Sequence, residues 1–136
     1  MTRARIVVDT NVLVSRLLFP SSLPGQALSH VLEAAQLLIS DDLLAELFGV
    51  LARPKFDAYV TMSNRVEFVR SLRFIAEVVP IDERVDECRD TKDNIVLELA
   101  VNGNSAIIVT GDRDLLAMNG FRGIKILTPA EYLASS

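Results

Sequence analysis

Short apolar runs alternate along the chain with longer amphipathic segments, the pattern of a parallel sheet covered by helices rather than of a bundle or a sandwich. Arg5 to Val8 (RIVV), Leu37 to Ile39 (LLI), Ala106 to Val109 (AIIV) and Ile124 to Leu127 (IKIL) read as strands, and Glu77 to Val79 (EVV) as a weaker one. Their β-branched and apolar content suits burial on both faces. Gln26 to Glu33 predicts a helix, and Asp41 to Leu51 another, opened by Ser40 as N-cap and closed before Pro54. Ser63 to Ala76 predicts a surface helix with Val66, Val69, Leu72 and Phe74 on its apolar stripe and Arg65, Arg70 and Arg73 around the remainder. Lys92 to Val101 follows the acidic stretch Asp86-Glu87-Cys88-Arg89-Asp90, and short helices are expected near Asp114 to Met118 and Pro129 to Leu133. The most irregular piece is Leu18 to Gly25, with Pro20 and Pro24, and there is no repeat or low-complexity tract.

A chain of 136 residues, half of them apolar, is expected to form one α/β domain spanning 1–136 with its own core. The single cysteine, Cys88, excludes a disulfide framework and a thiol-rich zinc site. The four-residue apolar run before Asp9 is too short for a signal-peptide core, and no stretch approaches the roughly 18 apolar residues of a spanning helix. A soluble, cytoplasmic protein with no membrane partner is therefore expected. Its formal charge of -4 counts only weakly against nucleic acid, because carboxylates that hold a divalent metal add to the negative total while creating a site that attracts phosphate.

The acidic residues carry the chemistry. In an open parallel sheet ligands bind beyond the carboxyl ends of the strands. Asp9 directly follows RIVV, and Asp112 follows AIIV through Thr110 and Gly111, a glycine that would let the backbone turn sharply. Glu46 lies about one and a half turns into the helix capped by Ser40, at i+4 from Asp42 on the same face. Asp93 opens its own helix three residues after Asp90. Each has a plainer reading taken singly: Asp9 as the cap of the next helix, Asp90 and Asp93 as a D-x-x-D cap, Asp112 and Asp114 as a surface turn, Glu46 as a solvated helix residue. Convergence changes the balance. A parallel sheet brings these carboxylates to one edge, where they repel one another unless a cation compensates or some are protonated.

Ligands that are all oxygen select hard cations, here Mg2+ or Mn2+. His30, the only histidine, belongs to an amphipathic helix, and Cys88 has no zinc-binding neighbour; neither a Ser-His-Asp triad nor a P-loop is present. Such a site suits phosphodiester hydrolysis. Asp9, Asp93 and Asp112 are the expected ligands, with Glu46 a ligand or the group that orients the attacking water. Thr10, Asn11 and Thr110 are expected to hold those ligands by hydrogen bonds, and Asp90 and Asp114 are further acids of open role.

Four blocks, VVDTNVLVSRLL, SDDLLAELFGVLARPKF, RDTKDNIVLELA and IIVTGDRDLLAMNGFRGIKILTPAEYL, follow one another in an order and spacing that resembles the PIN-domain nucleases, in particular the branch assigned as toxins of VapC-type toxin–antitoxin systems. The resemblance spans nearly the whole chain. It implies a three-layer α/β/α fold with a five-stranded parallel sheet, Asp9, Glu46, Asp93 and Asp112 as the acidic quartet, Asp90 and Asp114 as accessory acids, RNA as substrate, a divalent metal, frequent dimerisation and a cognate antitoxin. Gly49 departs from a good helix former within the helix of Glu46, at a cost on the order of 1 kcal/mol relative to Ala, or permits close packing there.

Arg16, Arg53, Lys55, Lys92 and Arg113 are the candidate RNA contacts because each lies beside a motif block, although each also reads as an ordinary surface charge. Leu17, Leu18 and Phe19 read as core, or as a groove for an antitoxin helix or a dimer partner. Two other functions stand as alternatives. A haloacid-dehalogenase-type phosphatase also places Asp after its first strand, but Asn11 occupies the position of its second Asp and its lysine has no counterpart. A catalytically inactive PIN-like module would act only by binding a partner.

Overall fold

The computed structural model describes residues 3–136. Strand β1 (Arg5–Val8) is followed by α1 (Thr10–Leu18), α2 (Leu23–Ala34), β2 (Gln36–Ile39), α3 (Asp41–Leu51), α4 (Met62–Ile75) and β3 (Glu77–Val78). Then come α5 (Asn94–Asn102), β4 (Ile107–Val109), α6 (Arg113–Leu116), β5 (Lys125–Leu127) and α7 (Pro129–Ser135). All five strands pair in parallel in the order β3-β2-β1-β4-β5, with Ile6 opposite Leu37 and Ile107, Val8 opposite Val109, and Val109 opposite Leu127. The result is the expected α/β/α arrangement. Central strands buried on both faces have no polar alternation to offer, which is why Val7, Val8, Leu38, Ile39, Ile108 and Val109 all lie in the core.

Chain order reverses direction across the sheet between β1 and β4, because β2 and β3 extend to one side of β1 and β4 and β5 to the other. A reversal of this kind opens a crevice at the carboxyl ends of the two strands. Asp9 and Asp112 follow those strand ends. Helix α5 packs against β1, β2 and β4 beneath this crevice, while α1 packs on α2 and α3.

The structure differs from the sequence reading at several elements. Helix α1 buries Thr10 and then the contiguous Val12, Leu13 and Val14, a block without the spaced pattern of a surface helix. Helix α2 begins at Leu23 rather than Gln26, since Ser22 accepts the Gly25 amide as N-cap and Pro24 occupies the first turn, where its missing N–H is not needed. Gly25 is required there: a Cβ would lie 2.7 Å from the carbonyl oxygens of Phe19 and Pro20. The fourth predicted helix begins later, with a 3-10 turn over Thr91–Asp93 ahead of α5.

Of the stripe predicted for the 63–76 helix, Val69 and Leu72 pack but Val66 and Phe74 do not. Phe74 is 90% and Val66 37% exposed, whereas Arg65 is 2% exposed. The face that packs is Arg65, Phe68, Val69, Leu72 and Ala76, a regular i, i+3, i+4, i+7 row whose first member is an arginine. No helix among the described residues is long and apolar enough to cross a membrane.

Candidate metal centre

Asp9 leaves β1 with its amide donating to the Val109 carbonyl at 3.1 Å, and Thr110 leaves β4 bonded to the Leu127 carbonyl at 2.9 Å. The buried Asp9 carboxylate accepts the Val12 amide through Oδ1 at 3.1 Å, capping α1, and the Thr110 hydroxyl through Oδ2. The same hydroxyl oxygen accepts the Asp112 amide at 3.0 Å. Asp112 Oδ1 in turn caps α6, accepting the amides of Asp114 and Leu115 at 2.8 and 3.1 Å. Capping and site-building are therefore not alternatives for these residues, because each carboxylate has two oxygens and the cap fixes how it is presented. Gly111 is not the hinge expected of it. Its φ is not positive, and a Cβ there would meet open space.

Asp90 and Asp93 arrive on a segment without regular structure that runs from β3 to the 3-10 turn at Thr91. Helix α5 fastens that segment through three polar residues four apart. Asn102 Oδ1 accepts the amides of Asp82 and Glu83 at 3.0 and 2.9 Å, Glu98 Oε2 accepts Val85 at 2.9 Å, and Asn94 Oδ1 accepts Cys88 at 3.0 Å. Asn94 and Glu98 are buried, so these bonds satisfy backbone groups that water does not reach. The sequence reading overlooked this row. Its signal was present: Asn94, Glu98 and Asn102 form a polar line at helical spacing in an otherwise apolar helix.

One carboxylate oxygen each from Asp90, Asp93 and Asp112 falls within 4.8 Å of the others. The three border a cleft of about 230 Å³ that Asp9, Thr10, Asn11 and Glu46 also line. Thr10 donates to Glu46 Oε2 at 2.7 Å, which holds the glutamate toward β1, while Asp42, expected on the same face, instead pairs with Arg84 at 3.3 Å. Burial, then the hydrogen bond and charge of Asp112, then the charges of Asp90 and Asp9, push Asp93 up to about 7. Burial also raises Asp9, against the opposing hydrogen bonds from Thr110 and Val12. Among the described residues no Lys or Arg forms an ion pair with Asp9, Asp90, Asp93 or Asp112. A hard divalent cation fits this donor set, since only oxygens are offered and no ion pair answers the repulsion among them.

Of the remaining predicted residues, Arg53 and Lys92 line the cleft, whereas Arg16, Lys55 and Arg113 do not. Lys55 lies over the Phe56 ring, 5.1 Å from its centroid, Arg113 is exposed on α6, and Arg16 is half-buried on α1. Asp114 stays outside the cleft and contributes its backbone amide to Asp112. Leu17 and Leu18 pack against the core, and Phe19 is 57% exposed. His30 is structural, its Nδ1 2.7 Å from the Tyr132 hydroxyl, joining α2 to α7.

Residues 5–114 match the sequence profile of the PIN domain. The uncharacterized protein MJ1680 of Methanocaldococcus jannaschii is 28% identical over 141 residues, a span of 96% of this chain and 90% of that protein. Among solved structures, PAE2754 from Pyrobaculum aerophilum superposes with a TM-score of 0.62 at 16% identity, covering 97% of this chain and 88% of the other. VapBC2 from Rickettsia felis, bound to a DNA fragment from their promoter, superposes with a TM-score of 0.61 at 13% identity, covering 91% and 98%. At these identities the two structures share the fold with this chain.

Proposed function

The chain belongs to the PIN domain family, and from that premise we propose that it is a Mg2+- or Mn2+-dependent endoribonuclease, the cytoplasmic toxin of a toxin–antitoxin pair. PIN domains are typically metal-dependent nucleases, and the observation that carries the reading to this chain is the cluster of Asp90, Asp93 and Asp112, without an ion-pair partner, in one cleft with Asp9 and Glu46. The residues beyond 114 complete the same body, with β5 paired to β4 and α7 packed on α2, in line with one domain over 1–136.

Asp9, Asp93 and Asp112 are the proposed ligands. Asp90, an accessory acid in the sequence reading, joins them as a proposed ligand on the support of its closeness to Asp93 and Asp112, and Asp114 takes a supporting part through its amide. Glu46, held by Thr10, is placed to ligate or to orient the attacking water. When bound, the ion supplies Lewis acidity toward phosphate and lowers the pKa of a coordinated water. Thr110 holds Asp9 and Asp112 in fixed relation, and Arg53 and Lys92 provide positive charge for the flanking phosphates at the cleft. An antitoxin partner and a homodimer are proposed by analogy with the VapBC2 neighbour and the family's toxin branch.

The test is cleavage of a mixed RNA pool by purified protein, with Mg2+, with Mn2+ and with neither, beside Asp93→Asn. Cleavage that needs metal and is abolished in the variant is expected. Intact RNA under every condition, with tight binding to a partner protein, would point to an inactive binding module. Release of phosphate from small monoesters with no RNA cut would return the phosphatase reading.

A further inference from the structure

Arg65 is the largest fully buried polar side chain, with a side-chain exposure of 2%, and its ion-pair partner Asp57 is 66% exposed. Burying a guanidinium that cannot lose its proton is costly unless its donors are satisfied. They are satisfied by one short stretch of chain. Nη1 donates to the Leu51 carbonyl at 3.0 Å, Nε and Nη2 to the Val60 carbonyl at 3.1 and 2.7 Å, and Nη2 also to Asp57 Oδ1 at 2.8 Å. Leu51 is the last residue of α3, where carbonyls have no intrahelical partner and a cation is favoured. One side chain therefore grips the start, middle and end of the 51–60 segment.

That segment carries Arg53 to the rim of the acidic cleft. Pro54 follows it, which confines Arg53 to extended backbone, observed as φ -62 and ψ 137. With α3 fixing one end and the Arg65 grip holding both, the backbone of Arg53 is held at the cleft rim, which fixes the point from which its exposed side chain reaches out. We propose that Arg65 and Asp57 form a clamp that positions Arg53 for phosphate contact, so that Arg65 is a positioning residue for substrate binding. This rests on the nuclease reading above.

The experiment is steady-state cleavage of a fluorescent single-stranded RNA in Mn2+ by wild type, Arg53→Ala, Asp57→Ala, Arg65→Lys and the double variant Arg53→Ala/Asp57→Ala. Asp57→Ala leaves the Leu51 and Val60 carbonyls as acceptors for Arg65, with thermal unfolding checking that the variant is folded, and Arg65→Lys keeps the charge while losing the forked geometry. Each single variant is expected to raise KM about 3- to 10-fold with kcat within about twofold and Mn2+ affinity unchanged, as loss of one phosphate contact predicts. The double variant is expected to match Arg53→Ala alone, because the clamp acts through Arg53. A double variant whose KM rises by the product of the two single effects, or an Asp57→Ala enzyme with wild-type KM, overturns the clamp while leaving the nuclease reading standing. A wild type that cuts no RNA overturns both.

Discussion

The Thr110 hydroxyl donates to the Asp9 carboxylate and accepts the Asp112 amide, so one buried side chain couples the acids that end β1 and β4. Valine has the same shape but neither donates nor accepts, and it would leave a buried carboxylate oxygen and a backbone N–H without partners. Thr110→Val is expected to weaken Mn2+ affinity by on the order of 10-fold, as loss of a group that orients a ligand does, and Thr110→Ser to retain most of it. Calorimetric titration of the two variants decides this, and equal affinities would show that the hydroxyl does not hold the site. The role expected of Thr110 was legible from its place after a strand. That Asp112 leans on the same hydroxyl was not, because it depends on how two strand ends far apart in sequence are juxtaposed.

At the scale of elements, α3 and α5 act as brackets. Ser40 caps α3 by accepting the Leu43 amide at 3.2 Å, and α3 presents Glu46 inward. Gly49, on the exposed side of α3, has no Cβ contact within 4 Å, so the close packing considered for it does not occur and only its helix penalty remains. Gly49→Ala is accordingly expected to stabilise the protein by about 0.5–1 kcal/mol, a rise of roughly 2–4 °C in Tm, measured by thermal unfolding. A lower Tm would mean that α3 needs the glycine for a reason its surroundings do not display. The α4 stripe shows where periodicity misleads: hydrophobic type marked Phe74 as core, yet the packed row begins with Arg65 because the carbonyls of Leu51 and Val60 offer that cation buried partners.

Across the whole molecule, folding assembles carboxylates that an unfolded chain keeps apart. Asp93 is raised to about 7 and Asp9 is raised as well, so the folded protein binds their protons more tightly than the unfolded chain, whose carboxyls titrate near 4. Their contribution to stability is then fully present below about pH 4 and lost as pH rises toward and through 7. In chelator, the Tm of wild type is expected to fall from pH 5 to pH 8 relative to Asp93→Asn, and Mn2+ is expected to reverse that fall in wild type alone. Parallel pH curves for the two proteins in chelator would show that the carboxylates do not oppose folding.

The sequence alone determined the α/β class, the strand runs, the Ser40 cap and the placement of Asp9 and Asp112 at strand ends, because burial on both faces and helix-end chemistry are local and leave local signatures. Glu46 and the choice of Asp93 over Asp90 rested mainly on the four-block resemblance. Tertiary structure alone decided the rest: that Asp90 stands with Asp93 and Asp112, that Arg53 and Lys92 reach the cleft while Arg16, Lys55 and Arg113 do not, and that Asn94, Glu98 and Asn102 hold the segment delivering Asp90. Those facts depend on distances between residues remote along the chain, which hydrophobic periodicity does not encode. They are set by the sheet order that brings β1 beside β4.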